Sequence, residues 1–573
     1  MKKKIMTAVI CGAMAFILSG CSMVSSLLVM QRDLRDLGKG LGTPVTEMPT
    51  ASNDAYTSTT EDSLIYEPMD GGEYEMYAME EYEPSMSMVY AYEEPDWNTE
   101  EYKDYGENGF LVTALNPLST FGADVNTASY SNLRRILLDT YDLEGRNGML
   151  GSVVKIEEMI NSFSYDYPKA SGDDPFSVTA RIAPCPWNDQ TKLLLVGLKA
   201  KEIAETENRP DSNLVFLIDV SGSMEGSDRI DLIKRAFRML VENLHDDDRV
   251  SVVTYCDHDE IVLDGVRGSE KDQIMMAIDS LWASGGTNGS DGINRAYELA
   301  EKHFIKGGNN RIILATDGDL NIGLTDEASL AALAKEKAGS GVYLSCLGVG
   351  SGNYSDTNME ALSMSGNGTY HYIDSISEAR KVLVEEAGST LFTVAKDTKI
   401  QVDFNPAKVK GYRLIGYEKR VMAAESFADD TKDGGEIGSG HTVTALYEII
   451  PSDSEFELPS AESKYTAGAN DKTAEDQYSD EWATVHIRYK EPEGSGKSIL
   501  MDTIVDDACV EDEMDDNMSW AAGVAQFGMV LQGSEYAGTT DLTEVRNRLR
   551  PLAAGDDYKE EFVYLMGRVL QAE

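Results

Sequence analysis

Basic residues are scarce in this chain: 50 Lys and Arg stand against 99 Asp and Glu in 573 residues, a formal net charge of -49. That deficit argues against a nucleic-acid binder, because phosphate backbones need basic surfaces. It also argues against a peripheral protein held on anionic lipid by basic patches. Histidine is scarcer still, with His245, His258, His303, His371, His441 and His486 the full set. None has HExxH spacing and no GxSxG nucleophile elbow occurs, so no catalytic residue is expected and the chain does not read as an enzyme. Beyond the first 21 residues the cysteines are Cys185, Cys256, Cys346 and Cys509, too scattered for a disulfide scaffold or a CxxC metal site. Cys256 and Cys346 fall in apolar strand-like runs and read as buried free thiols. What the chain does have is apolar content, 42% of its residues, enough for several cores. Its length allows three or four domains at about 150 residues each.

The first 20 residues read as an export signal. Lys2, Lys3 and Lys4 precede an apolar run from Ile5 to Leu18 that is short for a permanent membrane helix. The run ends in Leu18-Ser19-Gly20-Cys21, which resembles a bacterial lipobox; the resemblance implies cleavage before Cys21 and lipidation of that cysteine. The alternative is an ordinary or uncleaved secretory signal. A lipid-anchored protein facing outside the cytoplasm is therefore expected, on the cell membrane or an outer membrane. Ser22 after the cysteine resembles outer-membrane sorting. Residues 21–108 then read as a disordered acidic tether: from Ser22 onward they hold 20 acids and 4 bases, with no helical or strand period. The alternative there is a Tyr/Met/acid recognition strip, as in Glu73-Tyr74-Glu75-Met76-Tyr77.

Order is expected from about Phe110. Residues 109–210 read as an N-terminal domain with a helix over Val153 to Phe163 and strands over Phe176 to Ile182 and Leu193 to Ala200. Residues 211–391 change to regular strand–helix alternation, beginning with the near-continuous apolar run Leu214 to Val220, the mark of a strand buried on both faces. Such alternation predicts an α/β fold, a mostly parallel Rossmann-like sheet with helices on both faces. Residues 392–573 read as β-rich and then helical. Strand-like runs before residue 210 and after residue 392 suggest a single β-sandwich into which the α/β domain is inserted.

The sharpest motif is Asp219-Val220-Ser221-Gly222-Ser223-Met224, directly after the first buried strand. Ligands bind at the carboxyl ends of parallel strands, and here that edge presents one carboxylate and two hydroxyls. Hard divalent cations take oxygen ligands, and magnesium needs about six in octahedral array. Two further loops can contribute: Ser284-Gly285-Gly286-Thr287-Asn288-Gly289 supplies Thr287, and Ala315-Thr316-Asp317-Gly318-Asp319 supplies Asp317. The DxSxS element alone could also be a serine-rich turn.

Together these motifs resemble the metal-ion-dependent adhesion site of von Willebrand factor type A domains. The resemblance implies a metal site of Asp219, Ser221, Ser223, Thr287 and Asp317, with hydroxyls binding directly and aspartates directly or through water. It implies Mg2+, with Mn2+ or Ca2+ as alternatives, and a protein partner whose Asp or Glu completes the coordination. The wider chain is similar to the bacterial YfbK-type lipoproteins, through PLSTFGADVNTASYSNLRR from Pro117, VVKIEEMINSFSYDYP from Val153, PCPWN from Pro184, LATDGDLNIG from Leu314, GSGHTVTALYE from Gly438 and GVAQFGMVLQGSEYAG from Gly523. Two other readings stand beside metal-bridged adhesion: an envelope scaffold whose metal only orders loops, and a metal-dependent hydrolase. Lesser motifs carry less. Gly494-Ser495-Gly496-Lys497-Ser498 has Glu491 where a phosphate loop needs glycine and reads as a strand connection. Asp317-Gly318-Asp319 opens like a calcium loop but lacks the glycine and glutamate that complete one.

Overall fold

A computed structural model describes residues 100–572 apart from 101, 124–125, 140–146, 173, 204–208, 286–288, 319–326, 353, 388–390, 433, 459–477 and 493–495. The expected export signal, Cys21, nearly all of the expected tether, Thr287 and Asp319 lie outside the described residues. Two short strands, β1 (Leu111–Val112) and β2 (Leu118–Gly122), come first. Helices α1 (Ala128–Asp139), α2 (Asn147–Val153) and α3 (Ile156–Asn161) and strands β3 (Phe176–Pro184) and β4 (Lys192–Ala200) follow. The alternating region then runs β5 (Ser212–Asp219), α4 (Ile230–Glu242), β6 (Arg249–Tyr255), β7 (Asp259–Arg267), α5 (Lys271–Asp279), α6 (Gly289–Lys302), β8 (Asn309–Thr316), α7 (Glu327–Ala338), β9 (Tyr343–Gly348), α8 (Asp356–Ser365), β10 (Tyr370–Tyr372) and α9 (Ile376–Arg380). Strands β11 (Thr393–Phe404), β12 (Val409–Ile415), β13 (Val421–Met422), β14 (Ile437–Gly438), β15 (Thr442–Pro451), β16 (Glu481–Lys490) and β17 (Ile499–Asp506) come next. Helices α10 (Asp516–Gln532), α11 (Leu542–Leu549) and α12 (Asp557–Ala572) close the described chain. No described helix is long and apolar enough to cross a membrane.

The alternating region forms one sheet in the order β10-β9-β8-β5-β6-β7, parallel throughout except for the edge strand β7, which runs antiparallel to β6. Side chains alternate across a strand, so the apolar run of β5 divides between two cores. Leu214, Phe216 and Ile218 pack with Ile233, Phe237 and Leu240 of α4. Val215 and Leu217 pack with Ile293 and Tyr297 of α6. Helices therefore cover both faces, as the alternation implies.

The flanking segments meet in shared sheets. One has the order β1-β12-β15-β4-β3 and the other β13-β2-β11-β16-β17, with β14 added beside β11. β4 pairs β15 antiparallel from Leu198 opposite Val443 to Leu193 opposite Glu448, and β2 pairs β11 from Gly122 opposite Lys399 to Leu118 opposite Asp403. The chain thus leaves the sandwich after β4 and returns to it as β11. Period-2 alternation explains the layering. Leu194, Val196 and Leu198 of β4 face the second sheet, among Phe121, Ile400, Val402 and Val485. Leu193 and Leu195 face a helical layer of α1–α3 and α10–α12 built on Phe163, Trp520, Phe527 and Phe562. A buried ion pair, Arg413 Nε to Glu448 Oε2 at 3.0 Å, joins β12 and β15.

Several local expectations needed correction. The helix expected over Val153 to Phe163 is shorter, α3 over Ile156–Asn161, preceded by the extended Lys155, whose ammonium enters a buried acidic cluster, and by the end of α2 at Val153. The expected tether is docked at its end: Glu100 is buried against Arg135 at 2.9 Å and accepts from Gly352 N at 2.7 Å, and Tyr102 bonds Asn132. Cys346 is buried in β9, but Cys256 lies just past β6 and is only half-buried. The described residues of the Gly494–Ser498 motif lie in the β16–β17 connection, as read from the sequence.

Candidate functional site

Asp219 ends β5 at the carboxyl edge of the parallel sheet and is fully buried. Its Oδ1 accepts from Ser221 N at 2.9 Å and its Oδ2 from Thr316 Oγ1 at 2.8 Å. A short helical turn over Gly222–Met224 follows, with Met224 buried in the core and Ser223 exposed. That turn brings the Ser221 and Ser223 hydroxyls within 3.0 Å of each other. Asp317 directly follows β8 and is also fully buried. The first and third motifs therefore converge at neighbouring strand ends because β5 and β8 are paired in parallel register, Ile218 opposite Ala315.

The second loop is tied in from its described side. Ser284 N donates to Val220 O at 2.7 Å, and Gly222 N donates to Gly285 O at 3.0 Å. Gly285 has φ +79, a left-handed conformation that favours glycine, and its Cα lies close against the Asp257 carboxylate. Thr287 lies two residues beyond, outside the described residues. Gly318, at φ +82, bonds Thr316 Oγ1 through its N–H at 3.0 Å and lies against Ser355.

Burial pushes the Asp219 carboxyl up to about 7, and the neighbouring Asp317 adds to the rise, while the bonds from Ser221 and Thr316 oppose it. The Tyr255 phenol, at the end of β6, is held protonated by burial and by the Asp219 charge. Among the described residues no group of three or more His, Cys, Asp or Glu could hold a metal. The candidate donors are of another kind: two carboxylates and two hydroxyls, all hard oxygens. That chemistry fits magnesium or a similar divalent ion, which relieves the repulsion between two buried acids.

Sequence reasoning did not single out Thr316, although it stands inside the third motif. Its hydroxyl donates to Asp219 and accepts from Gly318 N, so it sets the carboxylate's orientation. Thr316→Ala is expected to lower stability by about 1–2 kcal/mol and to weaken divalent-ion affinity, with Thr316→Ser restoring both. Urea unfolding and calorimetric titration with magnesium measure the two effects. Equal magnesium affinity in all three proteins would remove Thr316 from the site.

A von Willebrand factor type A domain model matches residues 213–385, a model of the YfbK C-terminal region matches 389–571, and a further von Willebrand factor model matches 96–195. The uncharacterized protein YfbK of Escherichia coli (strain K12) is 40% identical over 480 residues, covering 82% of this chain and 80% of that protein. The uncharacterized protein sll0103 of Synechocystis is 29% identical over 201 residues, 34% of this chain and 45% of that one. A solved von Willebrand factor type A protein from Catenulispora acidiphila covers 70% of this chain and 91% of its own length at 16% identity, with a TM-score of 0.39. Type A domains are modules of protein–protein interaction and adhesion, typically non-catalytic. The chain belongs to the YfbK family and carries a von Willebrand factor type A domain inserted between its two β-sandwich segments.

Proposed function

We propose that this protein is a lipid-anchored cell-envelope receptor that binds a protein partner through a divalent cation. Asp219, Ser221, Ser223, Thr287 and Asp317 would hold the ion, with magnesium the first choice. The observation that carries this reading is the convergence of Asp219, the Ser221–Ser223 hydroxyl pair and Asp317 at one sheet edge. The ion supplies a local positive centre in an acidic protein and an exchangeable coordination position that an Asp or Glu of the partner can take. Asp219 and Asp317 contribute the charge. Thr316 orients Asp219, and exposed Ser223 stands on the solvent side of the set. Cys21 would carry the lipid, placing the domain outside the cytoplasm on the cell membrane or an outer membrane.

The loop-ordering alternative is less well supported. The first and second loops are already tied by the Ser284–Val220 and Gly222–Gly285 bonds, so an ion is not needed to pin them. The Ser221 hydroxyl bonds Ser223 rather than a histidine, which favours coordination over nucleophilic chemistry. Crosslinking on intact cells, in magnesium and in chelator, tests the proposal. A partner captured in magnesium and lost in chelator is expected; equal capture in excess chelator would sink the metal bridge.

A further inference from the structure

The three sheets end in the edge strands β1, β3, β7, β10, β13 and β17, and all but the last are blunted against pairing with another chain. β1 and β13 have two residues each and β10 has three. β3 carries Arg181 and ends in Pro184. β7 is interrupted by register shifts and carries Asp259, Glu260, Asp264 and Arg267. Short length, charge, proline and bulges are the usual protections of an open edge. β17 runs for eight residues with neither proline nor a basic residue. It pairs β16 without a shift from Ala483 opposite Val505 to Tyr489 opposite Ile499. On its other side no strand among the described residues pairs with it.

The side chains of this edge are apolar on both faces. Val505 is buried in the sandwich core and Met501 packs against it. Leu500 and Ile504, on the opposite face, are 53% and 55% exposed. Asp502 stands between them, its Oδ1 bonded to His486 Nδ1 at 2.7 Å.

Charge decides which occupant fits. Residues 506–516, just after β17, hold seven acids and no base. Lys408 on Asp507, at 2.9 Å, is the only ion pair these acids make among the described residues. Just before β17, Lys497 is exposed. A second copy laid antiparallel brings Lys497 of each chain to the acidic end of the other and holds the two acidic ends about 25 Å apart. A parallel copy would superpose them. In a protein of net charge -49 that difference selects the antiparallel pair.

The pleat then limits the register, because outward side chains must meet outward ones. With Asp502 on the two-fold axis, Leu500 lies opposite Ile504 of the second copy, and on the inner face Met501 meets Thr503 and Ile499 meets Val505. Two residues to either side, Leu500 and Ile504 would instead face aspartates or Ser498. We propose that β17 is a dimerisation edge, to which a second copy of this chain adds its own β17 antiparallel in this register, so that one sheet continues from sandwich to sandwich. The edge lies in the sandwich, and its use does not depend on the metal site.

The test is sedimentation of the full chain over a range of concentrations, where a monomer–dimer equilibrium is expected. Ile504→Lys, at a side chain already in water, should weaken the dimer about tenfold and leave the urea midpoint unchanged. Asp502→Asn removes two like charges that face each other on the axis and should strengthen it about threefold. On oxidation, Leu500→Cys mixed with Ile504→Cys should give a disulfide between the two introduced positions, and Leu500→Cys alone should give none at that position. A chain that is monomeric throughout, a dimer unchanged by Ile504→Lys or weakened by Asp502→Asn, or a disulfide joining two copies of Leu500→Cys would overturn the proposal.

Discussion

Asp219→Asn will lose magnesium binding while keeping the fold. The substitution preserves shape: the amide oxygen can still accept from Ser221 N, and the amide nitrogen can donate to Thr316 Oγ1, the two atoms that hold the carboxylate now. What it removes is one of the two buried carboxylates that would face the proposed ion. Affinity for the cation is expected to fall at least about 100-fold, beyond the usual effect of removing a group that merely supports a ligand. In chelator the sign reverses. Burial and Asp317 both disfavour the ionised Asp219, so a neutral residue there should leave the metal-free protein as stable as the wild type or more so. Calorimetric titration and urea unfolding, each with and without magnesium, read both arms. A variant that binds magnesium within threefold of the wild type would remove Asp219 from the ligand set. One that unfolds much earlier in chelator would make its role structural.

The motifs were legible because their chemistry is local. A run such as Leu214 to Ile218 can be apolar at every position only when both faces of its strand are covered, and Asp219 and Ser221 follow within a few residues. Parallel pairing of β5 with β8 then brings Asp317 alongside without any further signal. The sandwich was legible in outline for the same reason, since β4 has apolar side chains on both faces. Elements whose burial depends on distant charges were not. Helix α8 buries Asp356, Thr357, Glu360 and Ser363 together with Met359 and Leu362, so its sequence carries no amphipathic stripe. Its polar residues are inside because Lys155, Lys419 and Arg420 arrive from outside the α/β domain. The docking of Glu100 and Tyr102 is of the same kind: each fits a partner at least 30 residues away in sequence. At the second loop, Gly285 stands at a positive φ beside Asp257, an approach between two separate loops.

Lys155→Ala is expected to destabilise the protein by about 3–5 kcal/mol, because it breaks a buried ionic cluster between the flanking body and the inserted domain. Lys155 Nζ lies 2.5 Å from Asp356 Oδ2, 3.5 Å from Glu360 Oε2 and 3.6 Å from Glu158 Oε1, and all four side chains are almost wholly buried. Burial disfavours the ammonium, yet the three acids hold its pKa well above the ordinary lysine value. The acids respond unequally. Burial, reinforced by Glu360 and Asp356, keeps Glu158 up at about 7 against the pull of Lys155. Burial also acts on Glu360, but Lys155, Lys419 and Arg420 outweigh it and bring that carboxyl down to about 2. Without the lysine, Glu158 and Glu360 lose a shared cation and their folded pKa values rise. An acid whose folded pKa exceeds its unfolded value contributes stability at low pH and loses it as pH rises through the folded value. The deficit of Lys155→Ala should therefore be smallest near pH 5 and grow toward pH 8, whereas Lys155→Arg should recover much of the loss at both. Urea midpoints at the two pH values decide the matter, and a deficit that shrinks with rising pH would show that the acids are not what Lys155 holds. Asp356 opens α8 directly after Ser355, the residue against which Gly318 of the third metal loop rests. Magnesium affinity measured on the same variant then tests whether the lysine that joins the domains also steadies the metal site: a loss beyond threefold would tie the two together, and an unchanged affinity would confine Lys155 to holding the insertion in place.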